Sequence, residues 1–128
     1  MSIAQPKPLT DTERDFPRYG DIFLVSLDPV IGSETGKRRP ALVVSNNISN
    51  EFSQTVTVLP LTSQPAEKHY PFEVLVPKGI AGLTEDSRIK ANQIRTVDKR
   101  RLVYLLGALS QNFLSAVDAA LKVHLNLK

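Results

Sequence analysis

Apolar residues in this chain come only in short runs, and turn chemistry stops each one. Ile22, Phe23, Leu24, Val25 and Leu27 fill the stretch from Asp21 to Leu27, which Asp28-Pro29 ends. Ala41-Leu42-Val43-Val44 is a continuous apolar run that meets the turn-forming pair Asn46-Asn47. Thr55-Val56-Thr57-Val58-Leu59 alternates at period two, and Pro71 to Val76 sets Phe72, Val74 and Val76 on one face. Ser87 to Lys90 and Ile94 to Val97 are further extended pieces, and the apolar run Leu102 to Leu109 breaks at Gly107. Runs of about four to eight residues rich in β formers, closely spaced by turns, are the pattern of short antiparallel strands. Only the C-terminus reads as helix: Ser110 is placed as an N-cap, and Leu114, Val117, Leu121 and Leu125 recur at helical spacing. The expected fold is mainly β (α+β), with five to seven short strands forming a small antiparallel barrel or strongly bent sheet and one terminal helix.

A chain of 128 residues is one ordinary domain. Residues 1–18 carry Pro6, Pro8 and Pro17 without periodicity and read as a flexible N-terminal arm, so the ordered domain spans residues 19–128, opening at Tyr19-Gly20-Asp21. With 41% hydrophobic and 23% charged residues the balance is globular, not disordered. No apolar run is long enough for a transmembrane helix and no secretory pattern opens the chain, so the expectation is a cytoplasmic protein without a membrane partner. The absence of Cys excludes disulfides, thiolate metal sites and a cysteine nucleophile, and two His (His69 and His124) do not make a His-rich metal site. A net charge of +3 permits an anionic partner without demanding one.

The most informative stretch lies between the first two strands. Residues 28–39 form a long polar loop with Gly32, Gly36 and three consecutive cations, Lys37, Arg38 and Arg39, followed by Pro40. Pro40 biases Arg39 towards extended geometry, and a held guanidinium offers a planar fork of donors suited to phosphate oxygens. The competing reading is a solvated basic loop. A phosphate-cradling P-loop is excluded, because Gly32 and Gly36 are too close and no hydroxyl residue follows Lys37. Thr62 directly follows the apolar strand through Leu61 and is either a hydroxyl at a loop mouth or a simple strand terminator. Ser87 to Gln93 reads as an edge strand facing a groove, Lys99-Arg100-Arg101 as a solvated turn with contact to a phosphate backbone as the competing reading, and Phe113 as core. His69 reads as a solvated loop residue and His124 as packed at the edge of the helical stripe.

Several separated motifs in one register resemble the MazF/PemK toxins. They are Gly20-Asp21-Ile22-Phe23-Leu24-Val25-Ser26-Leu27-Asp28-Pro29-Val30-Ile31-Gly32-Ser33-Glu34, then Arg39-Pro40-Ala41-Leu42-Val43-Val44-Ser45-Asn46, then the strand ending Leu61-Thr62, then Gln93-Ile94-Arg95-Thr96-Val97-Asp98-Lys99-Arg100. The resemblance covers roughly residues 19–126. It implies an SH3-like barrel with added helices, a homodimer, and the toxin component of a type II toxin–antitoxin system. The implied activity is sequence-specific cleavage of single-stranded RNA, chiefly mRNA, with neither metal nor cofactor. The RNA's own 2′-hydroxyl attacks the adjacent phosphate, leaving 2′,3′-cyclic phosphate and 5′-hydroxyl ends. The implied partners are mRNA and a cognate antitoxin with a disordered tail, with DNA reached only through that antitoxin.

By the same resemblance Arg39 and Thr62 stand at the family's catalytic positions and Glu34 at a loop glutamate important for activity. Asn46, Ser87, Lys90, Asn92 and Gln93 fall at positions that contact RNA, and Lys37 and Arg38 extend the cationic rim. This chemistry suits the composition, because a substrate that supplies its own nucleophile needs no Cys or Ser from the protein. The protein has to align the backbone, stabilise the crowded phosphate and move two protons. Two departures stand out: Asn92 where some relatives carry an acidic residue assigned as base, and Lys90 where some carry Arg. The alternatives on the same barrel are a non-catalytic, gyrase-poison-like toxin and an RNA-binding module that has lost catalysis. The first depends on a C-terminal Trp, and this chain has no Trp.

Overall fold

The computed structural model describes residues 15–65 and 68–128. The arm read over residues 1–18 therefore lies largely outside the described residues, as do two residues of the polar loop after Ser63. The strands are β1 (Asp21–Ser26), β2 (Arg38–Val43), β3 (Thr55–Thr62), β4 (Glu73–Val76), β5 (Ser87–Lys90), β6 (Arg95–Asp98) and β7 (Leu102–Ala108). Two α-helices join them, α1 (Asn47–Phe52) and α2 (Gln111–Leu125), and short 3₁₀ turns occupy Ile80–Gly82, Ala91–Gln93 and Lys99–Arg101. The sheet runs β4-β5-β3-β2-β1-β7 with β6 also on β3, and every pairing is antiparallel. β3 is the hub. Its first half pairs β6, its middle pairs β2 and its last two residues pair β5.

Strict alternation along these strands sorts the apolar residues onto two faces. One face carries Ile22, Leu42, Leu59, Leu61, Val74, Val76 and Ile89, which α2 covers with Leu114, Val117 and Ala120. The other carries Phe23, Val25, Ala41, Val43, Val56, Val58 and Val97, closed by Leu27 and Leu102. Burying each large side chain contributes roughly 1.5–3 kcal/mol, so the two clusters dominate stability.

The structure departs from the sequence reading at several named places. Asn46-Asn47 does not merely turn the chain. Asn46 Oδ1 accepts from the Ser49 N–H (2.9 Å) and caps α1. Within that helix Asn50 is fully buried, its Nδ2 donating to the Ser45 carbonyl (2.8 Å). β2 begins at Arg38, so Arg38 and Arg39 belong to a strand, paired with Ser26 and Val25, and not to the preceding loop. β5 is an interior strand between β4 and β3, not an edge. On α2 Ala120 is buried while Leu125 is 45% exposed. His124 is exposed, and Phe113 is a partly buried flank of the core. Ser110 sits at the N-cap of α2 without a side-chain cap bond.

The Lys99–Arg101 turn is solvated at Arg100 but not at its neighbours. Lys99 is buried, its Nζ donating to the Glu51 carbonyl (3.4 Å), and burial pushes its ammonium below the ordinary lysine range against the opposing pull of Glu51. Arg101 Nη1 donates to the Ser26 carbonyl (3.1 Å) and to the Asp28 carbonyl.

Candidate active site

The β2–β3 register places the two residues of most chemical interest. Ala41 faces Pro60, Leu42 faces Leu59 and Val43 faces Val58. Carried two residues past its last pair, the same register brings Arg39 to the level of Thr62. Residues opposite one another in an antiparallel pair share a face. Arg39 and Thr62 thus continue the Val43–Val58 face beyond the point where its apolar residues end. β5 adds to this face, because Thr62 pairs with Arg88, and β4 completes it, with Leu75 opposite Arg88 and Glu73 opposite Lys90. The result is a polar surface of Arg39, Thr62, Arg88, Lys90 and Glu73 on four neighbouring strands, with α2 on the opposite side of the sheet.

Arg39 is half-buried, and its Nε donates to the Gly36 carbonyl (2.9 Å). That bond uses one donor and orients the guanidinium, leaving the terminal nitrogens for a ligand. The loop beneath it is tightly specified. Lys37 adopts a left-handed conformation (φ 64°), its N–H donates to Asp28 Oδ1 (2.9 Å), and its carbonyl accepts from the Leu27 N–H (2.9 Å). Arg95 Nη1 donates to the Leu27 carbonyl (3.0 Å), so Arg95 and Arg101 both brace the start of the loop. Gly36 has no room for a side chain. A Cβ there would stand 2.5 Å from Asp28 Oδ1 and 2.8 Å from Val30 Cγ2. Gly36→Ala is expected to destabilise the domain by about 1 kcal/mol, read as a lower urea midpoint. An unchanged midpoint would show that the loop yields without cost.

Thr62 is buried and closes β3. Its Oγ1 accepts from the Gln64 N–H (3.2 Å), so the hydroxyl proton is free to donate. Beside it opens a cleft of about 520 Å³ whose walls include Thr62, Gln64, His69, Leu75, Ser87 and Arg88. Ser87 is buried, and its hydroxyl donates to the Glu85 carbonyl (2.9 Å).

The remaining predicted residues divide. Gln93 Oε1 accepts from the Thr35 N–H (3.2 Å) and ties the β5–β6 turn to the loop that carries Glu34. Asn92 sits in the same turn with a buried Oδ1 that has no hydrogen-bond partner among the described residues. Glu34 is exposed and does not touch Arg39. Its Oε1 accepts from the Ile31 N–H (2.6 Å) and holds its own turn. Lys37 and Arg38 are exposed, and alternation along β2 sends Arg38 to the face opposite Arg39. Asn46 lies beyond the far end of β2 as the cap of α1, so a single chain does not bring it to Arg39 and Thr62.

Three residues of this region are absent from the sequence reading of the site: Glu73, Arg88 and Arg95. Arg88 lies within the strand that was read, but its partners lie 15 and 24 residues away in the chain. Among the described residues no three His, Cys, Asp or Glu are grouped to hold a metal ion. No helix among them is long and apolar enough to cross a membrane.

Residues 18–125 match the family described as PemK-like, MazF-like toxin of type II toxin-antitoxin system. The chain belongs to this family. A curated relative, endoribonuclease MazF9 of Mycobacterium tuberculosis, is 43% identical over 115 residues, covering 86% of this chain and 97% of that protein. The crystal structure of MazF from Deinococcus radiodurans superposes with a TM-score of 0.75 at 31% identity, covering 88% of this chain and 98% of that one. An endoribonuclease in complex with its cognate antitoxin, from a mycobacterial species, shares the fold with a TM-score of 0.73 at 23% identity, covering 88% and 97%. The seven-stranded antiparallel sheet with its C-terminal helix is thus the MazF-like, barrel-type fold that the sequence motifs implied.

Proposed function

We propose that this PemK/MazF-family toxin is an endoribonuclease that cleaves single-stranded RNA by attack of the substrate's own 2′-hydroxyl. The observation that carries the reading is the register that brings Arg39 to the level of Thr62 on one polar face. The named activity of relatives such as MazF9 supports it. In the reaction a bond forms between the 2′-oxygen and phosphorus and the bond from phosphorus to the 5′-oxygen breaks. The 2′-proton departs and the 5′-oxygen gains one. Charge builds on the non-bridging oxygens, where a guanidinium oriented through Nε and a hydroxyl free to donate are both effective. Arg39 stabilises that charge, and Thr62 donates a hydrogen bond to a phosphate oxygen. Arg stays charged, which makes it a poor base. Asn92 has no carboxylate, so the 2′-proton goes to another group. Glu34 acts by shaping the loop, and Gln93, Ser87 and Lys90 lie where bases and backbone pass. The antitoxin is assigned to the same polar face, a homodimer is the working unit, and the cytoplasm is the site of action.

The test is incubation of the purified protein with mixed single-stranded RNA in EDTA, with Thr62→Val alongside. The expected result is discrete cuts leaving 2′,3′-cyclic phosphate and 5′-hydroxyl ends. Thr62→Val keeps the shape and removes the donor, and is expected to be slower by about 100-fold. Intact RNA from folded wild-type protein overturns the reading. A wild-type rate in Thr62→Val reduces Thr62 to a strand end.

A further inference from the structure

The cleft wall beside Thr62 contains a charged pair that the mechanism above does not use. Arg88 Nη1 donates to both Glu73 Oε1 and Oε2 (2.9 Å each), and Nη2 donates to the Gln64 carbonyl (2.9 Å). Both side chains are withdrawn from solvent, with 15% of Arg88 and 3% of Glu73 exposed. Arg88 Nε is buried and has no partner among the described residues. A buried pair that leaves a donor unsatisfied is a weak source of stability, and apolar residues of similar volume often serve a fold as well or better. The pair therefore calls for an explanation other than stability.

Its connections supply one. Gln64 is held from two sides: its N–H donates to Thr62 Oγ1 (3.2 Å) and its carbonyl accepts from Arg88. Pro65 follows and disfavours helical backbone at Gln64. Arg88 is also the cross-strand neighbour of Thr62, while Glu73 stands one diagonal step away on β4. A continuous path thus runs from the Glu73 carboxylate through the Arg88 guanidinium and the Gln64 backbone to the Thr62 hydroxyl oxygen. Arg suits the central position because a planar fork spans two acceptors at fixed geometry, which a lysine ammonium does not.

We infer that Glu73 and Arg88 form a positioning strut that fixes the Thr62 hydroxyl through the Gln64 backbone. The strut rests on the reading of Thr62 as a group that touches the scissile phosphate. Its role is geometric: Gln64 N–H occupies one lone pair of Oγ1, which directs the hydroxyl proton towards the substrate. Small displacements of such a group are costly to rate and cheap to binding.

The experiment measures kcat and KM for RNA cleavage in the double variant Glu73→Leu/Arg88→Met, in Arg88→Lys, in Thr62→Val, and in the double variant carrying Thr62→Val as well. Thermal unfolding is followed in parallel. For the double variant the expected result is a kcat reduced about tenfold, a KM within about twofold of wild type and a retained cooperative unfolding transition. Arg88→Lys, which keeps the charge and loses the fork, is expected to show the same loss of kcat. Adding Thr62→Val to the double variant is expected to slow it no further than Thr62→Val alone, because the strut works only through that hydroxyl. A wild-type kcat in the double variant overturns the strut, and so does a combined variant whose losses multiply. If the double variant does not fold, Arg88→Lys decides: a wild-type kcat there overturns the strut. A wild-type rate in Thr62→Val overturns the site assignment itself, a result distinct from failure of the strut alone.

Discussion

Arg39→Ala is expected to reduce RNA cleavage by about a thousandfold while the domain stays folded. The side chain stands where the apolar face of β2 gives way to the polar surface, and its one hydrogen bond among the described residues goes from Nε to the Gly36 carbonyl. Losing that bond costs about 1 kcal/mol, a small part of the stability of a domain this size. The backbone pairing of Arg39 with Val25 does not depend on the side chain and survives the change. What disappears, on the proposed mechanism, is a fixed positive charge where negative charge builds on the non-bridging phosphate oxygens. Arg39→Lys sharpens the test: it restores the charge as a point without the fork, so a partial recovery of well under tenfold is expected. Rates come from single-turnover cleavage of a mapped RNA site, and folding from the urea midpoint. A wild-type rate in Arg39→Ala, with an unchanged midpoint, would move the catalytic charge elsewhere on the surface, with Lys90 and Arg88 the next to replace.

Much of this arrangement was legible from one sequence, and the residues themselves show why the rest was not. Alternation in Thr55–Leu59 and in Phe72, Val74 and Val76 exposed β3 and β4, because burial of one face imposes period two. The strand containing Arg39 was cut short at its start. Side-chain polarity hides a strand whose first residues leave the core, and only the pairing of Arg38 with Ser26 reveals it. The six-residue helix α1 was missed because it is too short to show a stripe, and its Asn46 cap resembles turn chemistry in sequence. The cap engages Asn46 Oδ1 with the Ser49 N–H. Arg39 and Thr62 were named from their motifs, but their shared level came only from the β2–β3 register. Arg88 escaped because its meaning lies in partners on other strands, Glu73 and the Gln64 carbonyl, and no local pattern announces a diagonal cross-strand pair.

Val43→Asp separates the fold from the site on the same strand, and is expected to leave no folded domain at 25 °C. Val43 has 0% of its surface exposed, lies opposite Val58 and packs in the cluster with Phe23, Val25 and Val56. Its neighbours in that cluster are apolar side chains, so a carboxylate there would be buried away from water. Leaving a buried charge uncompensated costs about 3–5 kcal/mol, on top of roughly 2 kcal/mol of lost apolar packing. That total rivals the whole stability of an ordinary domain, about 5–15 kcal/mol. Val43→Ala, which loses the packing term alone, is expected to stay folded with a urea midpoint lowered in proportion and cleavage retained, since Arg39 and Thr62 keep their frame. Far-ultraviolet circular dichroism with urea titration distinguishes the two. A Val43→Asp protein that unfolds cooperatively and cuts RNA would place this side chain at the surface, and would undo the register from which Arg39 and Thr62 were brought to one level.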